Sequence, residues 1–105
     1  MFGGNDYRAS EKEEIMDKID LHKALCEEMH NLYVVKNKAY GDSFSETYDK
    51  LGLISAVTRI SDKYNRLISL STNPDIDDLG ERLEDTLLDL ANYSLMTIME
   101  LKEKK

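Results

Sequence analysis

A single cysteine, Cys26, in a chain of 105 residues can close no internal disulfide and build no thiolate cage. That argues against an oxidising compartment or a zinc ribbon and for a reduced cytoplasm. One proline and five glycines are too few breakers for a many-turned β-sandwich. No stretch approaches the ~18 apolar residues of a membrane helix. The opening MFGGNDYRASEKEE has no apolar signal core, so no membrane partner is expected. Bases are in deficit, 14 Lys and Arg against 21 Asp and Glu, a net charge of −7, which makes duplex nucleic acid a poor partner. Neither GxGxxG nor GxxxxGK[ST] occurs, no serine sits in a nucleophile elbow, and no zinc-spaced His/Cys set exists. Rossmann binding, P-loop chemistry and nucleophilic catalysis drop out.

What is present is 41% hydrophobic and 33% charged residues, enough to fold as one domain and mostly as helix. Residues 1–9 read as a flexible arm, and 10–105 as a single α-helical domain. Ser10 and Glu13 form a capping box, which predicts a first helix over 11–37. Ile15, Ile19, His22, Cys26, Met29, Tyr33 and Lys36 recur at alternating steps of four and three, one helical stripe. His22, Cys26 and Met29 on that stripe read as core. Gly41 with Asp42 and Ser43 breaks the pattern, and a helical turn over 45–51 ends at Gly52. Further helices are predicted at 53–70 and 79–102, separated by STNPDIDD, where Asp77 or Asp78 can cap. The fold class expected is all-α, an antiparallel bundle of three long helices. The last helix has one apolar face of Leu83, Leu87, Leu90, Ala91, Ile98 and Leu101 and another of Leu88, Leu95 and Met99. A helix apolar on two sides is sandwiched, so a homodimer or higher homo-oligomer completes the bundle.

Glu81, Asp85 and Asp89 step along one side of that helix at i, i+4, i+8, with Glu84 beside them and Asn92 continuing the strip. Like charges at this spacing repel, and no lysine within the strip offsets them. Mg²⁺, which takes oxygen ligands and enters with substrate phosphates, is the natural compensation. A solvated acidic face near a helix N-terminus is the alternative. On the preceding helix Arg59, Asp62, Lys63 and Arg66 share a sector opposite the apolar stripe, either a phosphate-facing cluster or a solvated face knit by ion pairs. Residues 36–66 carry six bases against four acids, and 75–89 one base against seven. Charge sorted this way suits a nucleotide with bound Mg²⁺. KNKAYGDSF at 36–44 reads either as a connector or as a ligand loop, in which Tyr40 and Phe44 bracket Gly41 and Lys36 reaches a phosphate.

KNKAYGDSF (36–44), RISDKYNRL (59–67) and LEDTLLDLANYSLM (83–96), in that order, resemble the phage and bacterial family called nucleotide modification associated domain 1. They are also similar to the all-α nucleotide pyrophosphohydrolases of the MazG and dimeric dUTPase kind. The resemblance implies phage-type nucleotide metabolism or DNA modification, and hydrolysis of an NTP or dNTP with Mg²⁺ held by an ExxE and an ExxD motif on successive helices. Asp89, followed by Leu-Ala-Asn-Tyr, is similar to the Asp closing ExxD, but Thr86 stands where its Glu would be. The ExxE register falls on Arg59 and Asp62, so one acid is a base. On this reading Asp62, Glu84, Asp85 and Asp89 hold the metal, with Asp62, Asp85 and Asp89 catalytic. Lys36, Arg59, Lys63 and Arg66 contact phosphates, and Asn37, Tyr40, Asp42, Asn92 and Tyr93 complete the substrate site. The competing expectations are a nucleotide-binding protein without turnover and a structural helical adaptor.

Overall fold

A computed structural model describes residues 17–103. They form four α-helices and no strand: α1 (Lys18–Tyr40), α2 (Ser43–Leu51), α3 (Leu53–Ser71) and α4 (Leu79–Glu103). The all-helical expectation holds. Three helices are long, and the turn predicted over 45–51 is a complete fourth helix of 9 residues. The first helix is placed differently. Asp17 is extended at φ −70°, ψ 169°, and its side chain accepts from the Asp20 N–H at 2.9 Å, so it caps α1 and the helix does not run unbroken from 11. At the other end α1 continues past 37 to Tyr40, because residues 36–39 contain no breaker and Gly41 is the first that leaves the helix easily, at φ 68°. The Ser10–Glu13 box and the arm at 1–9 lie outside the described residues.

Gly52, at φ 80°, joins α2 directly to α3: its N–H closes α2 on the Tyr48 carbonyl at 2.7 Å, and its carbonyl accepts from the Ser55 hydroxyl at 2.8 Å. Before α4, Asp78 takes the cap position through its backbone, with φ 57° and its carbonyl accepting from the Arg82 N–H at 3.0 Å. Lys63 meets Asp89 and Arg66 meets Thr86, three residues forward on α3 for three back on α4, so this pair is antiparallel. Asn92 donates to the Met29 carbonyl at 3.0 Å, and Lys36 reaches Asp89, so α1 also runs antiparallel to α4. The short α2 packs across the C-terminal half of α4, with Phe44 on Tyr93 and Ser45 donating to buried Glu100 at 3.1 Å.

The interior made by one copy is small. Among the described residues only Ala56 and Leu70 are buried apolar side chains, and the buried positions of α4 are Thr86, Thr97 and Glu100. Of the two apolar faces expected on α4, Leu83, Leu88, Leu90 and Ala91 are half-buried, while Leu87, Leu95, Ile98, Met99 and Leu101 are exposed. The α1 stripe packs only in its C-terminal half: Met29 and Tyr33 are half-buried, whereas Ile19, His22 and Cys26 are exposed, correcting the core assignment of the latter two. No helix of the described residues is long and apolar enough to cross a membrane.

Candidate functional site

Two stripes with the same spacing face each other across a cleft. Tyr33, Lys36, Asn37 and Tyr40 on α1, and Asp89, Asn92, Tyr93 and Met96 on α4, each follow i, i+3, i+4, i+7, the spacing that puts side chains on one helical face. Antiparallel packing then sets the stripes opposite one another. The connector Gly41–Asp42 with Ser43 and Phe44 closes one end, and Arg59 of α3 stands on the remaining wall. The cavity so enclosed has a volume of about 340 Å³. A second one, about 280 Å³, is lined by Arg66, Asp78, Glu81, Arg82, Asp85, Thr86 and Asp89. Asp89 borders both.

The centre of this arrangement is Asp89, whose two carboxylate oxygens accept from Lys36 Nζ and Lys63 Nζ, each at 3.0 Å. Burial alone would push this carboxyl up, but the hydrogen bonds and charges of the two lysines outweigh it and hold Asp89 below the usual carboxylate range. Within the acidic ladder, the charge of Asp89 is thus compensated by two ammonium groups from other helices. Among the described residues no three His, Cys, Asp or Glu side chains converge where they could hold a metal ion. Asp85 lines the second cavity, while Asp62 and Glu84 are exposed and border neither. Of the four acids read from the sequence as one metal set, Asp85 and Asp89 thus share the second cavity, and Asp62 and Glu84 line neither. Thr86, at the position where the resemblance would have a Glu, is 2% exposed, accepts from Arg66 Nε at 3.1 Å and donates to the Arg82 carbonyl at 2.8 Å.

Of the other residues read from the sequence, Lys36, Asn37, Tyr40, Asp42, Arg59, Asn92 and Tyr93 all reach the first cavity. Lys63 is spent on Asp89 beneath it, and Arg66 faces the second cavity. The Asn92 amide is committed to α1 through Met29, and Asn37 donates to the Tyr33 hydroxyl at 3.4 Å. Phe44 does not pair with Tyr40 around the glycine. It stacks on Tyr93, ring centroids 5.9 Å apart at 25°, which leaves Tyr40 alone at the rim, 73% exposed. Arg59 makes no hydrogen bond or ion pair among the described residues. Tyr33 and Met96 were missed as lining residues, although each completes the i, i+3, i+4, i+7 spacing of its helix and could have been found that way.

The arrangement offers a guanidinium unpaired among the described residues, an ammonium with donors to spare, an exposed ring and amide groups around a space the size of a small ligand. A family model described as nucleotide modification associated domain 1 matches residues 36–101, more than half of the chain and nearly all of both cavities. Comparisons with curated proteins and with solved structures gave no match. The chain belongs to the nucleotide modification associated domain 1 family.

Proposed function

We propose, from that family membership and the chemistry of the cleft, that the chain binds a phosphorylated nucleotide between α1, α3 and α4. The observation that carries the reading is Arg59: a guanidinium with no partner among the described residues, on the wall of a cavity that also holds Lys36, three tyrosines and two amides, with the acids Asp42 and Asp89. A planar cation in such a place is suited to a phosphate, which it can grip through two parallel N–H donors. Lys36, on the α1 wall of the same cavity, has one N–H on Asp89 and two left for a second phosphate oxygen. Tyr40, exposed at the rim, can stack on a base, and Asn37 can read its edge or the sugar. A volume of about 340 Å³ suits one nucleotide and no more. Calorimetric titration with deoxynucleoside mono-, di- and triphosphates tests this. Saturable binding that weakens at least tenfold in Arg59→Ala supports the reading, and the same affinity in both proteins overturns it.

A second reading, turnover, is favoured by one feature: Asp89 and Asp85 line a cavity continuous in chemistry with the first, and Asp89 touches both. Here the chain is a Mg²⁺-dependent pyrophosphohydrolase like the all-α enzymes that it resembles. The side chains as arranged do not fit a resident Mg²⁺, because the most central carboxylate already carries two lysines. Any ion would have to arrive with the substrate's phosphates. Pyrophosphate release from a panel of dNTPs with Mg²⁺ separates turnover from capture. If no nucleotide raises the melting temperature, the helical adaptor is what remains.

A further inference from the structure

The cations of the first cavity can grip only so many phosphate oxygens, and among the described residues those cations are Arg59 and Lys36. Arg59 makes no hydrogen bond or ion pair among them, so its planar fork can give two parallel N–H donors to two oxygens of one phosphate. Lys36 spends one N–H on Asp89 and keeps two, enough for a third oxygen. Only the terminal phosphate of a nucleotide carries three oxygens free of ester or anhydride bonds. An inner phosphate has two. The full grip of both cations therefore calls for a terminal phosphate. Spacing on α1 then sets how far that phosphate stands from the base. Lys36 and Tyr40 are four residues apart, about 6 Å along the helix axis, and both border the cavity. In a nucleoside 5′-monophosphate the sugar alone separates base from phosphate, which suits one helical turn. In a triphosphate two further phosphates come between the base and the terminal group.

We infer, resting on the nucleotide-binding reading and narrowing it, that the ligand of this cavity is a nucleoside 5′-monophosphate, its phosphate held by Arg59 and Lys36 and its base laid on Tyr40. Charge agrees with the oxygen count. A phosphomonoester carries about −1.5 to −2 at pH 7, which two cations match. A longer chain finds no further cation in this cavity, and Asp42 adds a carboxylate to its lining. Past Asp89 lies the second cavity, where Arg66 and Arg82 are outnumbered by Asp78, Glu81, Asp85 and Asp89. Added phosphates would meet carboxylates there, and among the described residues no three His, Cys, Asp or Glu side chains converge to hold a divalent cation that would offset the repulsion. Size points the same way: about 340 Å³ is near the lower end of ligand pockets, which run from ~300 to ~1,000 Å³.

The test is calorimetric titration of the whole chain with the deoxynucleoside, its 5′-monophosphate and its 5′-triphosphate, for each of the four bases, repeated with Arg59→Lys. EDTA is present throughout, so that no divalent cation bridges phosphate oxygens to Asp85 or Asp89. For the base that binds best, the monophosphate should bind about tenfold tighter than the triphosphate and about a hundredfold tighter than the nucleoside. Arg59→Lys keeps the charge and loses the fork, so it should weaken the monophosphate about tenfold and the triphosphate less than about threefold. A triphosphate that binds as tightly as the monophosphate, or tighter, would overturn the inference and leave nucleotide binding standing. A nucleoside as tight as its monophosphate would overturn it because the cations then grip no phosphate. An Arg59→Lys protein that holds the monophosphate as the parent does would overturn the three-oxygen grip whatever the order of the ligands. If none of the three compounds binds for any base, the nucleotide reading falls and the inference falls with it.

Discussion

Replacing Asp89 with Asn tests the link between the three long helices, because this one carboxylate ties α1 and α3 to α4. The Lys63 pair has both partners about three-quarters buried, at 26% and 24% exposed, so its charge-assisted hydrogen bond should contribute about 1–2 kcal/mol. Lys36 is 56% exposed and its contribution is screened, at most about 1 kcal/mol. Asn keeps the shape but leaves two ammonium groups facing each other without a counter-charge. The sum is a loss of about 2 kcal/mol at pH 7, or roughly 10 °C in melting temperature at fixed protein concentration. The pH dependence has a definite sign. The folded-state value of Asp89 is depressed, so its contribution is complete above the unfolded value near ~4 and is lost as pH falls through the folded value. Urea denaturation of both proteins at pH 7, 5, 4 and 3 should show a gap that is constant at the first two and narrows as the pH falls below ~4. Lys63→Met should cost more than Lys36→Met. A gap that is absent at pH 7, or that widens on acidification, would refute the reasoning.

Three further outcomes are expected. Tyr40→Ala should weaken nucleotide binding by roughly 1–3 kcal/mol with little change in melting temperature, since the ring is at the rim; a large loss of stability with affinity intact would make it structural. Arg59→Ala should cost roughly 1.5–3 kcal/mol in nucleotide affinity by titration, again without destabilising the free protein, because the guanidinium has no partner among the described residues. Thr86→Val keeps the volume but strips Arg66 of its acceptor, and should lower stability by about 1–2 kcal/mol in chemical denaturation while Ser94→Ala, on an exposed face, should not.

The helix boundaries were legible wherever a breaker stood beside a change of period. Gly52 and the STNPDIDD segment locate α3 and α4 almost to the residue, because a left-handed glycine and a proline with cap-forming neighbours leave the chain few alternatives. The start of α1 was not, since Ser10–Glu13 and Asp17–Asp20 both look like caps, and local spacing cannot rank two starts on one periodic stripe. Nor could periodicity say which apolar side of α4 turns inward. That is decided by Arg66 finding Thr86, by Ser45 finding Glu100 and by Phe44 finding Tyr93, contacts between residues far apart in the chain.

The cleft follows the same division. Which residues share it could be read from two matching spacings, 33–40 and 89–96, since a helix places i, i+3, i+4 and i+7 together whatever surrounds it. How Asp89 is neutralised could not, because the rule that detects an unbalanced ladder looks only one turn away along the same helix, and the compensating lysines come from α1 and α3. Thr86 shows why this matters for the acids that the resemblance placed on a metal. With a hydroxyl at that position the helix offers Arg66 a neutral acceptor, and the arginine keeps its charge for the second cavity. A carboxylate there would be drawn into a pair with the same guanidinium. The hydroxyl at this position thus leaves a cation facing a cavity whose other charged lining residues are Arg82 and the acids Asp78, Glu81, Asp85 and Asp89, so that charges of both signs meet there.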